Sequence, residues 1–287
     1  MKYSLGLYEK AMPDSLSFRE LLIETRNAGF DRLEISIDES EMRQNRLYWT
    51  STEKRNIRDL LDSEGVPVKT MCLSAHRGAP FGSHDPLVRK KAAEIMKRAL
   101  ELACEIGVCI IQLAGYDVYY EEHDKSTEQF FFDGLAEAVE NASRMGILLG
   151  FETMETSFMD TVEKSMYYVN KINSPYLGLY PDIGNLQNAS ALYDIPPYED
   201  IRKGKGHIFA GHLKETRPGV YRNLHFGEGH TDYFNSIRAL LLQGVRMFTG
   251  EFWYLEEPEY RSSLKMASIF LRDKIEVASQ SIILQHS

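Results

Sequence analysis

Short apolar runs recur from one end of the chain to the other, each preceded by an amphipathic segment and a glycine or a tight turn. A glycine tolerates the left-handed backbone that ends a helix, and an apolar run without strict polar alternation is typical of a strand covered on both faces. The pattern therefore predicts eight strands. They lie at residues 3–7, 32–37, 68–74, 109–114, 148–152, 177–182, 208–214 and 247–252.

The segments between these runs carry helix signals. Asp85 followed by Pro86 predicts the N-cap and first turn of a long helix, and Thr50 with Glu53 predicts a capping box. Apolar spacing predicts further helices at residues 126–145, 161–172 and 231–242, and a closing helix near residues 259–278.

Eight strands alternating with helices favour an α/β fold, a single (β/α)8 TIM barrel over residues 1–287. The alternative is an open doubly wound sheet. The Gly-x-Gly-x-x-Gly sequence of such a sheet is missing after the first strand, where the chain reads Leu5-Gly6-Leu7-Tyr8-Glu9-Lys10. Because no linker or low-complexity stretch divides the chain, the sequence predicts one domain.

Composition narrows the class of protein. A chain of 287 residues with 43% hydrophobic residues buries a core without disulfides, so we expect Cys72, Cys104 and Cys109 to be reduced core residues. Lys and Arg number 33 against 42 Asp and Glu, and this net charge of -9 disfavours a nucleic-acid partner. Since the sequence has no signal-peptide pattern and no bilayer-length apolar stretch, we expect a cytoplasmic protein with no membrane partner.

Polar residues end the last four predicted strands: Glu152, Asp182, His212 and Glu251. Taken singly, a strand-end carboxylate often caps a helix, and a lone histidine is often structural. In a barrel, however, four successive strands bring their ends toward one point near the axis. Three carboxylates converge there only with a compensating positive charge. We therefore predict that these four residues bind one divalent metal ion, which is Mn2+, Zn2+, Mg2+ or Co2+.

Five longer motifs are residues 6–11 (GLYEKA), 71–77 (MCLSAHR), 111–120 (IQLAGYDVYY), 179–185 (LYPDIGN) and 226–229 (FGEG). With these motifs, nearly the whole chain resembles the L-ribulose/L-xylulose 5-phosphate 3-epimerases, also labelled hexulose-6-phosphate isomerases, of the xylose-isomerase-like TIM barrel superfamily. Two segments depart from that family: Glu215 stands where relatives have Asp, and residues 153–156 are unlike theirs. We expect these departures to affect the preferred pentulose phosphate more than the metal ligands.

The resemblance implies metal-dependent C3 epimerisation of a ketopentose 5-phosphate, from L-xylulose 5-phosphate to L-ribulose 5-phosphate, as in L-ascorbate catabolism. Glu152 and Glu251 would exchange protons on opposite faces of a metal-bound enediolate while also binding the ion. The superfamily further implies a homo-oligomer, either a dimer or a tetramer.

A sugar phosphate that enters an acidic protein needs local hydrogen-bond donors, which Arg and Lys supply. We expect the substrate to be bound by His76, Arg77, Lys214, Arg217, Asn185 and Tyr116, with Lys10 and Arg222 as further candidates. Tyr116 belongs to a tyrosine-rich loop with Tyr119 and Tyr120, which predicts a lid, a wall of the sugar site or a subunit contact.

Three other functions stay open at this stage. Aldose–ketose isomerisation of a hexulose phosphate would use the same site. An abasic-site nuclease is disfavoured by the acidic balance and by the single strand-end histidine. A non-catalytic sugar-phosphate binder is disfavoured because it does not need two bases beside one ion.

Overall fold

In a computed structural model of the chain, which describes residues 1–284, eight parallel strands form one sheet in the order β6-β5-β4-β3-β2-β1-β8-β7. The strands are β1 (Ser4–Tyr8), β2 (Arg32–Ile37), β3 (Val68–Leu73), β4 (Ile110–Ala114), β5 (Leu148–Glu152), β6 (Leu177–Leu179), β7 (Gly211–Leu213) and β8 (Met247–Gly250). The α-helices are α1 (Phe18–Asn27), α2 (Glu41–Gln44), α3 (Ser51–Glu64), α4 (Pro86–Ile106), α5 (Lys125–Met145), α6 (Val162–Ile172), α7 (Ile183–Tyr193), α8 (Pro197–Lys203), α9 (Tyr233–Leu242) and α10 (Tyr260–Leu284). Short 3-10 turns occupy Glu9–Ala11, Asn45–Tyr48 and Ser74–Arg77.

Isolated parallel bridges close the ring between the two ends of this sheet. They pair Leu179 with Ile208 and Asp182 with His212. The His212 amide donates a hydrogen bond to the carbonyl of Pro181 at 3.0 Å. The predicted (β/α)8 TIM barrel is confirmed, and the carboxyl ends of all eight strands meet at one face.

The predicted strands at residues 177–182 and 208–214 are too long. β6 ends at Leu179 and β7 begins only at Gly211. Pro181 lacks the amide hydrogen that a continuous ladder needs, so single bridges replace it in this part of the barrel. Asp182 and His212 nevertheless remain opposite one another across the bridge.

The structure confirms the two helix N-caps that the sequence predicts. The Thr50 side chain accepts from the amide of Glu53, whose own side chain accepts from the amide of Thr50. Asp85 caps α4 just ahead of Pro86. The closing helix runs past its predicted end to Leu284, because its buried stripe continues beyond residue 278. Sequence patterning did not predict α7, which starts immediately after Asp182.

The prediction for the cysteines is wrong for two of the three residues. Cys72, on β3, is buried, whereas Cys104 and Cys109 are exposed, and all three are free thiols. Cys109 lies just before β4, at the amino end of the barrel, where a turn reaches the surface. Within residues 1–284, no helix is both long enough and apolar enough to cross a bilayer.

Candidate active site

The four polar residues at the strand ends come together at the carboxyl face of the barrel. Glu152 ends β5, Asp182 follows β6, His212 lies in β7 and Glu251 follows β8. One possible ligand atom from each side chain lies within 4.8 Å of the others, and all four residues are buried. Their closeness follows from barrel geometry, since neighbouring parallel strands end at the same face.

His212 directs its Nδ1 atom at the three carboxylates. Nδ1 lies 3.3 Å from Oε1 of Glu152, 3.4 Å from Oε2 of Glu251 and 4.0 Å from Oδ2 of Asp182. Lys214, two residues further along, places Nζ 3.2 Å from Oδ2 of Asp182 and 3.2 Å from Oε2 of Glu251. The cluster therefore holds one imidazole, one ammonium and three carboxylates.

Asp182 fits both roles that the sequence left as alternatives, which are helix capping and metal binding. Its Oδ1 atom accepts a hydrogen bond of 2.7 Å from the amide of Asn185 and so caps α7. Its Oδ2 atom accepts no hydrogen bond of normal geometry from any described residue, and the same holds for Oε2 of Glu251. The Lys214 ammonium, 3.2 Å from each of these two oxygens, is shared between them. Three carboxylates with one imidazole suit a divalent cation. The side chains present therefore fit a divalent metal ion.

The pKa directions reflect crowded negative charge among the protein groups. Burial and the neighbouring Glu251 carboxylate raise the pKa of Glu152. Burial also raises the pKa of Asp182 well above its ordinary range. Burial alone would raise the pKa of Glu251, but Lys214 and His212 lower it well below its usual value. Burial opposes charge on His212, yet Glu34 and Glu251 raise its pKa well above the ordinary value. The cluster thus attracts positive charge.

Sequence reasoning missed two residues, each of which contacts one of these four. Glu34, inside β2, has Oε1 2.6 Å from Nε2 of His212. Gln112, inside β4, donates from its side-chain amide to Oε2 of Glu152. The search covered strand ends only, whereas these side chains come from strand interiors. The available signal was the alternation of Arg32, Glu34 and Ser36 in a strand that is buried throughout.

A cavity of about 220 Å³ opens beside the cluster. Glu152, Glu251, Lys214 and Asn185 line it, and Glu152 and Glu251 are each 5% exposed. Asp182 and His212 have no exposed surface and lie beneath. A molecule in the cavity can therefore touch the two glutamates.

Three further cations line the same cavity, each paired with a carboxylate. Lys10 Nζ lies 2.6 Å from Oδ2 of Asp38, and Arg222 Nη2 lies 2.9 Å from Oε1 of Glu155. Arg77 is 4.0 Å from Glu39, and its guanidinium lies 4.7 Å from the centre of the Tyr119 ring. The cavity wall therefore carries three cations in ion pairs, since Asp38, Glu39 and Glu155 line the same cavity.

Three residues predicted to bind substrate do not line this cavity. His76 is buried, with Nε2 3.1 Å from the carbonyl oxygen of Ala92, and burial lowers its pKa to about 4. Arg217 is exposed and donates to the carbonyl of Glu228 at 2.8 Å. Tyr116 is buried against the ring of Tyr119, at 5.2 Å between ring centres. His76 and Arg217 are thus held by residues of other segments, and Tyr116 by a ring of its own loop.

The remaining tyrosines and the two family departures also have defined surroundings. Tyr119 is half-buried, and Tyr120, which is 68% exposed, donates to Glu39 at 3.2 Å. Glu215 is buried and accepts from the amide of Gly227 at 2.8 Å, so it anchors a loop outside the cavity. Glu155, by contrast, lines the cavity. Of the two departures, only the segment after β5 can touch a bound molecule.

Comparison with known proteins places the chain among sugar-converting barrels. Residues 22–273 match the model of the family described as xylose isomerase-like TIM barrel. L-ribulose-5-phosphate 3-epimerase UlaE of Shigella boydii serotype 18 is 42% identical over 240 residues, which are 84% of this chain and 83% of that protein.

Two solved structures are similar in fold. An L-ribulose 3-epimerase covers 100% of this chain and 99% of its own at a TM-score of 0.82 and 17% identity. A D-tagatose 3-epimerase-like protein covers 97% of this chain and 99% of its own at a TM-score of 0.78 and 19% identity. At such low identity these two show the fold alone.

The resemblance proposed from the motifs is confirmed by the family model and by the 42% identical relative. The 42% identical relative also confirms the predicted enzyme class, an isomerase of the epimerase type. The chain belongs to the xylose isomerase-like TIM barrel family.

Proposed function

We propose that this protein is a divalent-metal-dependent 3-epimerase that interconverts L-xylulose 5-phosphate and L-ribulose 5-phosphate. The observation that carries the proposal is a pair of glutamates, Glu152 and Glu251, that face one cavity beside a buried cluster of three carboxylates and one imidazole. The 42% identical relative named L-ribulose-5-phosphate 3-epimerase favours this sugar phosphate over other substrates.

Glu152, Asp182, His212 and Glu251 would hold the ion, which is Mn2+, Zn2+, Mg2+ or Co2+. When bound, such an ion supplies a Lewis acid that stabilises negative charge developing on sugar oxygens. Asp182 and His212, which have no exposed surface, serve only to bind it. Lys214 lies beside the same carboxylates and faces the cavity, so it adds a second positive charge for an ionised sugar oxygen.

Epimerisation at C3 removes a proton from one face of the carbon and returns one to the other face of a planar enediolate. Glu152 and Glu251 come from β5 and β8 and reach the cavity from different strands. One glutamate accepts the proton and the other donates one, and the two exchange roles in the reverse direction. A positioned carboxylate base contributes about 10²- to 10⁴-fold to such a step.

The rest of the cavity suits a polar substrate with an anionic end. Asn185 lines the cavity, and its Oδ1 atom accepts no hydrogen bond from a described residue, which leaves it available to a sugar hydroxyl. Lys10, Arg77 and Arg222 provide cations for the phosphate. Of the residues predicted to bind substrate, the proposal keeps Arg77, Lys214 and Asn185.

The test is epimerisation in deuterated water with Mn2+ and L-xylulose 5-phosphate. We expect L-ribulose 5-phosphate with deuterium at C3 and none at C1, followed by nuclear magnetic resonance. Deuterium at C1 would instead establish the aldose–ketose isomerase. A protein that incorporates no deuterium at either carbon, although it binds Mn2+, contradicts both. The homo-oligomer and the cytoplasmic location stay predictions.

A further inference from the structure

We infer that Glu34 is a positioning residue for the metal centre, because it holds His212 by Nε2 and so presents Nδ1 to the ion. The inference rests on the proposed function, since it assumes that His212 binds a divalent cation. It concerns a residue of β2, on a strand that contributes none of the four candidate ligands.

The contact between the two side chains is short and completely buried. Oε1 of Glu34 lies 2.6 Å from Nε2 of His212, and neither residue has exposed surface. An imidazole ring has two nitrogens, and a hydrogen bond at one fixes both the tautomer and the nitrogen that remains for a metal. With Nε2 donating to Glu34, Nδ1 is free for coordination, and Nδ1 is the atom that faces Glu152 and Glu251.

Glu34 is itself held in place. Its Oε2 atom accepts from the hydroxyl of Tyr180 at 2.7 Å and from Oγ1 of Thr249 at 3.1 Å. The Tyr180 ring also packs edge-on against the His212 ring, with centres 4.8 Å apart. The carboxylate therefore cannot turn away, and the imidazole is braced both by its nitrogen and by its face.

A buried arginine lies below this group. Arg32 is 1% exposed and donates to Thr70 Oγ1 at 2.7 Å and to Thr249 Oγ1 at 2.8 Å. Gly6 leaves room for it, since a Cβ atom there would lie 2.6 Å from Nη1 of Arg32. Branched apolar side chains usually fill the interior of such barrels, and buried ions are costly. A buried charged layer directly beneath the candidate metal site therefore favours a functional role for these residues over a role in packing alone.

Glu34→Gln tests the inference with almost no change in side-chain volume. A glutamine that turns its NH2 group toward Nε2 favours the tautomer with hydrogen on Nδ1, which blocks coordination. A glutamine that turns its oxygen there must place its NH2 group against Tyr180 and Thr249. Loss of such a partner of a ligating histidine typically weakens metal binding 10- to 100-fold.

The experiment titrates the metal-free full-length protein with Co2+, following the visible absorption of the bound ion and the heat of binding. Glu9→Gln is the matched control, because Glu9 is also a buried carboxylate, 2% exposed, but pairs with Arg46 and not with a candidate ligand. We expect a 10- to 100-fold higher Kd for Co2+ in Glu34→Gln and an unchanged Kd in Glu9→Gln. Circular dichroism and thermal unfolding show whether each variant is folded.

A second measurement needs no substitution of Glu34. In the Zn2+-loaded wild-type protein, ¹⁵N-histidine resonances should show the His212 ring bound through Nδ1 and protonated at Nε2. If Glu34→Gln does not fold, Tyr180→Phe, which removes one donor to Glu34, should raise the Kd a few-fold.

The outcomes separate this inference from the proposed function. Coordination through Nε2, or an unchanged Kd in folded Glu34→Gln, overturns the role of Glu34 but leaves the metal enzyme intact. A wild-type protein that binds Co2+ no better than His212→Ala overturns both. Loss of affinity in Glu34→Gln alone supports the inference, whatever the sugar substrate proves to be.

Discussion

Two groups of charged residues lie at the carboxyl face of this barrel, each around buried carboxylates, and they are neutralised in different ways. In the first, Glu9 forms a two-pronged pair with Arg46, with Oε1 2.6 Å from Nη1 and Oε2 2.8 Å from Nη2. In the second, Oδ2 of Asp182 and Oε2 of Glu251 share the single ammonium of Lys214 at 3.2 Å and accept no hydrogen bond of normal geometry from a described residue. The Glu9 carboxylate is therefore neutralised by protein side chains alone, whereas the carboxylates of the second group outnumber the cations beside them.

The charge balance of the second group matches one divalent ion. It contains four carboxylates, Glu34, Glu152, Asp182 and Glu251, with Arg32 and Lys214 as permanent cations nearby. If His212 is neutral, as a metal ligand must be, two negative charges remain. The first group instead pairs the carboxylates of Glu9, Asp14 and Asp38 with Lys10, Arg43 and Arg46. Glu9 is as buried as the acids of the second group but is paired within the protein, so the excess of carboxylates over cations marks the candidate metal site.

The largest expected effect comes from changing the glutamates of the second group. Glu152→Gln or Glu251→Gln should lower the epimerisation rate by about 10²- to 10⁴-fold or more, because each variant loses a proton-transferring carboxylate. Deuterium incorporation at C3 measures the rate, and circular dichroism should remain native. Glu9→Gln is the control from the first group and should keep most of the activity. Near-normal rates in both folded glutamine variants would refute the proposed roles.

Breaking the first group should affect stability instead. Arg46→Met leaves the Glu9 carboxylate buried without its two-pronged partner, and such losses cost about 3 to 5 kcal/mol of unfolding free energy. Urea unfolding followed by fluorescence measures this change.

The matched control is the double variant Glu9→Leu with Arg46→Met, which removes both charges together. It should recover much of the lost stability, since apolar replacement of a buried pair is often close to neutral. An equally unstable double variant would indicate that packing, not the uncompensated charge, carries the effect.

Metal binding should stabilise the folded protein through the second group only, and by less than the loss of stability expected for Arg46→Met. A ligand that binds only the folded state adds about 2.7 kcal/mol at a concentration of 100 times its Kd. We expect Mn2+ to raise the unfolding free energy of the metal-free wild type by about this amount, and of Arg46→Met equally. His212→Ala should gain none. Equal stabilisation of His212→Ala would place the ion elsewhere.

The sequence predicted the four side chains of the second group because apolar runs end at them, and because parallel strands of a barrel end at one face. Glu34 escaped that reasoning since it lies within β2. The turn of His76 toward Ala92 and of Arg217 toward Glu228 also escaped it. Those orientations depend on contacts with residues 16 and 11 positions away, which no periodic pattern encodes. The lengths of β6 and β7 depend in the same way on how the barrel closes.

The smallest expected effect is a loss of folding stability at acid pH that comes from the first group. Burial raises the pKa of Asp38, but Lys10 and Ser40 outweigh it and hold the value at about 2. In the unfolded chain an aspartate has a pKa of about 3.9. Because the folded pKa is the lower one, the unfolded state binds more protons between these values, so this stabilisation is complete above about pH 4 and is lost as the pH falls toward 2.

Asp38→Asn should therefore flatten the acid limb of the stability curve by about 2 kcal/mol between pH 4 and pH 2, relative to wild type. Urea unfolding in the presence of a chelator measures the difference without a contribution from metal release. Asp62→Asn, on the exposed face of α3, is the control and should follow wild type. If Asp38→Asn also follows wild type, then the Lys10–Asp38 pair contributes no stability, and the contrast between the two groups rests on Glu9 and Arg46 alone.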